Sequence, residues 1–119
     1  MNSFSNFIQI PIYRGELGLI VSDKIDYIKN IIPEFETDDL FAHSYYHNHD
    51  GNESFTMILN YNHSDVEIKM GTIAHESYHL VSMILDSRGV ALDFNNDEPG
   101  AYLMEWIFNT IMDWLASNE

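Results

Sequence analysis

The sequence predicts an α+β domain in which a small antiparallel sheet packs on two or three helices. Three observations carry this. The first half holds four apolar, partly alternating segments in two pairs, each pair joined by a glycine-containing turn in the manner of hairpins. The second half opens with one long segment whose apolar residues recur at helical spacing and which is closed by Arg88-Gly89. Pro99 then introduces a further apolar stretch, in the place that suits the first turn of a helix. The chain has 119 residues, 45% of them apolar, with no linker, repeat or low-complexity tract, so 1–119 reads as a single domain.

In order along the chain, Phe7–Tyr13 and Leu17–Val21 flank Arg14-Gly15-Glu16 and form the first predicted hairpin. Pro11 cannot donate to a ladder and sends its strand to a sheet edge. Ser22 is an N-cap for a short helix with Ile25, Ile28 and Ile32 on one stripe, stopped by Pro33. Phe41–His49 and Ser54–Tyr61 are strands joined by Asp50-Gly51-Asn52. Asn62–Asp65 make a loop and cap for a long helix to Ser87, whose buried stripe is Val66, Met70, Ile73, Ala74, Val81, Ile84 and Leu85. Val90–Asn96 connect it to a last helix running to about Ala116, with Trp106, Ile107, Ile111 and Trp114 as its core residues.

Charge and composition exclude several functions. Nineteen acidic residues against five basic ones give a formal charge of −14, which a phosphate backbone or an anionic membrane surface would repel. Neither nucleic acid nor a membrane is therefore an expected partner, whereas a basic protein is compatible. Met1–Ile12 has no basic n-region, and no apolar run reaches the ~18 residues of a membrane span, so a cytoplasmic protein is expected. Cysteine is absent, which rules out disulfides and thiol catalysis and leaves His and carboxylates as the only ligands for a metal.

The chemistry concentrates in His75-Glu76-Ser77-Tyr78-His79, an H-E-x-x-H sequence inside the long helix. Spacing i,i+4 stacks two imidazoles on one helix face, where they can chelate a single ion. At ~100° per residue that face, shared with Ser82 and Asp86, lies opposite the apolar stripe. Glu76 stands beside the pair without being a ligand, the position of a general base in metal-assisted hydrolysis. Catalytic zinc takes three protein ligands, so one is missing from the pentapeptide. A metzincin arrangement would need Gly at Ser82 and a ligand at Leu85, and has neither. Glu98 follows His79 after 18 residues, enough for a turn and a return through a second helix; Asp93 and Asp97 are the other candidates, alongside a site with no third ligand.

At Thr72-Ile73-Ala74-His75-Glu76 and Glu98-Pro99-Gly100-Ala101 the sequence resembles the gluzincins, zinc peptidases with H-E-x-x-H on one helix and a Glu ligand on the next, and in particular the small members of phages and mobile elements. The resemblance spans about Thr72 to Trp106. It implies a zincin-like domain with the motif on its central helix, one Zn²⁺ per chain held by His75, His79 and Glu98, Glu76 as catalytic base, and Ala101 as the small residue where two helices approach. The chain departs from the pattern at Tyr102, where such enzymes place a carboxylate that supports a ligand His; Asp97 or Glu105 would have to replace it.

A second set, His43, Tyr45, His47 and His49, occupies alternate positions of a strand and shares one face. Tyr45 or His47 could stabilise a transition state or the row could bind another metal, against the plainer reading of a solvated sheet face; His63 is similarly open. The function expected from these residues is hydrolysis of peptide bonds by a metal-activated water, with Ser54–Tyr61 as an edge strand that aligns an extended peptide. The alternative is an acidic accessory protein of phage or mobile-element type, a binding module whose zinc site is structural or vestigial; zinc-dependent hydrolysis of another amide is a third.

Overall fold

The computed structural model describes residues 2–36, 41–61 and 69–118. Along the chain they form β1 (Phe4–Gln9), β2 (Glu16–Ser22), α1 (Ile25–Ile31), β3 (Ala42–His49), β4 (Asn52–Asn60), α2 (Met70–Ser87) and α3 (Glu98–Ser117). Together they make an α+β fold with a four-stranded sheet in the order β1-β2-β4-β3. The expected cap at Asn62–Asp65, the helical start at Asp65, Val66 of the apolar stripe and His63 lie outside the described residues.

The sheet is mixed, which corrects the expectation of an antiparallel one. Both hairpins are present, β1 against β2 and β3 against β4, but β2 runs parallel to β4 with Leu17 opposite Phe55 and Val21 opposite Leu59. A parallel pair requires a crossover, and the segment holding α1 supplies it. The pairing also places β4 inside the sheet, so the strand expected at the edge is central and the outer strands are β1 and β3. Both inner strands are accordingly buried on two faces, and read as apolar runs more than as alternations.

On one face Leu17, Leu19, Val21, Phe55, Met57 and Leu59 pack with Ile73, Leu80 and Ile84 of α2 and Ile107 and Ile111 of α3. On the other, Ile20 and Ile58 pack with Ile28, Ile32 and Phe35 around α1. Each such side chain contributes ~1.5–3 kcal/mol on burial. Gly18 continues that second face, and a Cβ there would collide with the ring of Phe7, which lies across it from β1.

The turns explain two shifts of boundary. Asp50 and Gly51 both have positive φ, 53° and 86°, as a two-residue hairpin turn of the primed type demands. The first hairpin has a wider loop closed by Ile10 N–H donating to the Gly15 carbonyl at 2.9 Å, so β1 begins at Phe4 and Pro11 sits in the loop. Ser22 is not the N-cap: Lys24 takes that position without a side-chain cap bond, its N–H donating to Ser22 Oγ at 2.9 Å, and the helix begins at Ile25. At the end of α2, Arg88 binds Glu53 Oε1 at 2.8 Å and donates from Nε to the Tyr13 carbonyl, tying the helix to both hairpins. Gly89, at φ 72°, takes the left-handed turn that ends it.

Candidate metal centre

The buried residues of α2 are Ile73, Glu76, Ser77, Leu80, Val81, Ile84 and Leu85. At ~100° per residue they form one arc, and His75 and His79 lie on the opposite, exposed side. The helix thus packs by one face and presents both imidazoles from the other, as the spacing predicts. Their Nε2 atoms are 3.2 Å apart, with ring centroids at 4.8 Å and planes near perpendicular. Two nitrogens bound at ~2.05 Å to a tetrahedral zinc would be about 3.3 Å apart. The pair therefore already has the bite of a zinc chelate. Without an ion, the same distance is a hydrogen bond in which one ring's N–H donates to the other.

Glu76 is the opposite of its neighbour in exposure: its side chain is 11% accessible, that of His75 67%. It points into the crevice between α2 and β3, where the Ser44 hydroxyl lies 2.7 Å from Glu76 Oε1 and 2.9 Å from the Glu76 carbonyl oxygen. The other carboxylate oxygen is 3.8 Å from His75 Nε2. Ser44 can satisfy this carboxyl group in both of its forms. Ionised, Oε1 accepts the Ser44 proton; protonated, it donates to Ser44 Oγ while the serine proton turns to the Glu76 carbonyl oxygen. A buried carboxylate without such support would be costly. Ser44 was missed by the motif, and the signal available for it was parity. Along β3 the side chains alternate, so Ala42, Ser44 and Tyr46 face α2 while His43, Tyr45 and His47 face α1.

The same parity places Tyr45 and His47 on the face of the sheet away from Glu76 and the imidazole pair. Tyr45 packs against the α1 cluster, and His47 Nδ1 pairs with Glu34. Burial first, and the Glu34 carboxylate second, push the Tyr45 hydroxyl above its ordinary value. His43 packs edge-on against Phe35, and His49 lies 3.7 Å from Asp50.

The second motif is less well gathered. Glu98 is the first residue of α3 and Asp97 precedes it, both exposed, as are Asp93, Tyr102 and Glu105. Among the described residues no three His, Asp or Glu side chains come together in a group that could hold a metal ion, so Glu98 is not brought to the imidazole pair. The small residue where α3 meets α2 is Gly100, whose Cβ would stand 3.8 Å from Leu85 and 4.0 Å from Val81; Ala101, expected in that role, is exposed. The described residues thus bring together two imidazole nitrogens at a separation that zinc could bridge and a serine-supported carboxylate, and assemble no third ligand beside them. Among the described residues no helix is long and apolar enough to cross a membrane. Compared with known proteins, the chain matches no family model, no curated protein and no solved structure.

Proposed function

We propose that this chain is a zinc-dependent hydrolase of peptide bonds, zincin-like in the placement of its motif, with His75 and His79 as ligands and Glu76 as general base. The observation that carries the reading is the 3.2 Å separation of two exposed imidazole nitrogens beside a buried, serine-supported carboxylate. Zinc, when bound, supplies a Lewis acid that polarises a carbonyl and lowers the pKa of water.

The chain's own residues do the rest. Glu76 takes a proton from the attacking water at the oxygen facing His75, or at Oε1, where Ser44 holds it. It then returns the proton to the leaving amine. Ser44 keeps the carboxyl group aimed along α2 during both transfers and is a positioning residue. β3 is the outer strand next to α2, so an extended substrate would align there and not on β4. The gluzincin resemblance assigns the third ligand to Glu98, which would have to move from its exposed place at the start of α3 to reach the imidazoles. Its test is the zinc affinity of Glu98→Ala against Glu105→Ala and Asp93→Ala: only a ligand's loss leaves the ion undercoordinated, and equal affinities would remove Glu98 from the proposal.

The reading as a whole is tested by zinc analysis of protein prepared without a chelator or a histidine tag, followed by casein cleavage with the wild type and Glu76→Gln. One zinc per chain and cleavage lost in the variant are expected. Zinc retained with no cleavage by either protein would favour the binding-module reading.

A further inference from the structure

Between the C-terminal half of α2 and the beginning of α3 lies a cavity of about 380 Å³. Its walls are Val81 and Leu85 of α2, Leu92 and Phe94 of the connector, and Gly100 and Met104 of α3. That size is within the range of pockets that enclose a ligand group. Phe94 is fully exposed and Leu92 half-exposed, although both are large apolar residues on the rim of an apolar cavity. Exposed apolar surface concentrated at a concavity marks a contact site, because a second apolar surface removes both from water together.

The backbone that carries Leu92 and Phe94 has a defined turn. Asn96 N–H donates to the Asp93 carbonyl at 3.1 Å and Asn95 N–H to Asp93 Oδ1 at 2.9 Å, which folds the connector into a local turn. Gly100 leaves the floor open, since a Cβ there would meet Leu92 Cδ2 at 3.4 Å.

The charge on the rim selects the occupant. Asp93 and Asp97 line the cavity, and among the described residues no Lys, Arg or His lines it. These full charges outweigh the roughly half positive charge of the helix N-terminus. An acidic segment is repelled here and a basic one attracted, the more so in a chain of net charge −14.

We infer that this cavity is a docking pocket for one large apolar side chain carried on a basic peptide segment. The pocket uses neither imidazole and holds its peptide whether or not the metal site is loaded.

Three acetylated, amidated pentapeptides test this by titration into the isotopically labelled protein, followed by amide chemical shifts: four lysines around a phenylalanine, four lysines around a serine, and four glutamates around a phenylalanine. The lysine–phenylalanine peptide should bind saturably at millimolar concentration or below, with shifts centred on Leu92–Ala101. The serine peptide should bind at least tenfold more weakly and the glutamate peptide not at all. Gly100→Leu, which fills the floor, and Phe94→Ser, which removes a wall, should each weaken binding tenfold or more. Asp93→Asn with Asp97→Asn should remove most of its salt dependence. Equal affinity for the phenylalanine and serine peptides, shifts elsewhere on the surface, or undiminished binding to both Gly100→Leu and Phe94→Ser overturns the inference. Retained binding in the His75→Ala/His79→Ala variant is expected; its loss would make the pocket a part of the metal site. Failure of the zinc proposal leaves this result untouched.

Discussion

The molecule carries two groups of histidines, one on each side of its sheet, and their geometries differ for reasons of period. On α2 the i,i+4 repeat brings His75 and His79 to one stripe and their nitrogens to 3.2 Å. On β3 the repeat of two keeps neighbours on one face but spreads them, and the rings of His47 and His49 stack at 6.0 Å. The strand histidines are also engaged locally, His47 by Glu34 and His43 by Phe35. The same residue type is therefore spread along a sheet surface in one place and brought nitrogen to nitrogen in the other. Convergence of the nitrogens decides, not the number of histidines.

The sharpest way to break this contrast is to remove each group. His75→Ala with His79→Ala should take zinc from about one per chain to none, while His43→Ala, His47→Ala and His49→Ala together should leave the stoichiometry unchanged by metal analysis. If the strand variant also loses its zinc, the distinction fails. Glu76→Gln comes next: it keeps size and zinc but removes the basic oxygen, and any hydrolytic rate should fall by ~10²–10⁴. Ser44→Ala should lower kcat by roughly tenfold with KM little changed, because the carboxyl loses the hydroxyl that aims it; Ser44→Thr should restore part of it.

Smaller effects sharpen the comparison within the motif. Ser77 lies between the two histidines yet is fully buried, and its hydroxyl has no hydrogen-bond partner among the described residues. Ser77→Ala should stabilise the fold by up to ~1 kcal/mol, read from the denaturation midpoint, and leave zinc binding alone. The least effect is at Glu34, whose carboxyl is held below the ordinary value of 4.5 first by its own backbone hydrogen bond and then by His47. A depressed carboxylate contributes stability above the ordinary value, and loses it as pH falls through the folded one. Glu34→Gln should therefore lower the stability slightly at neutrality and flatten the acid limb below pH 4.5, where the two proteins converge.

Much of this architecture is legible in the residues. The Asp50-Gly51 turn, the stripe of α2, its Arg88-Gly89 end and the Pro99 start of α3 are local features, each governed by a few neighbouring side chains. The parallel joining of β2 to β4 is not legible, because it depends on where a hairpin docks and no turn residue encodes that. The apolar runs of both strands held a hint, since burial on two faces belongs to inner strands. At the site, helix period places the histidines correctly, while Ser44 lies 32 positions from Glu76 in sequence and becomes its neighbour only through tertiary packing. Glu98 shows the reverse: a residue with the right spacing for a ligand that local rules alone do not carry to the imidazoles.

The junction between β2 and β4 also sets the order in which the chain can fold. Each hairpin closes a short loop and can zip on its own, whereas Glu16 meets Ser54 only after the whole intervening chain has been drawn in, at a greater entropic cost. Its register has no turn to pin it and is held by parity alone, with Leu17, Leu19 and Val21 on one side and Ile20 on the other. A slip of one residue would exchange the two cores. The elements that bear His75, Glu76 and Ser44 are consecutive, β3 through α2, and lie wholly on one side of this junction. The part of the molecule that carries His75, Glu76 and Ser44 can thus begin to assemble before the junction closes, and the closing of the junction joins it to the rest of the sheet.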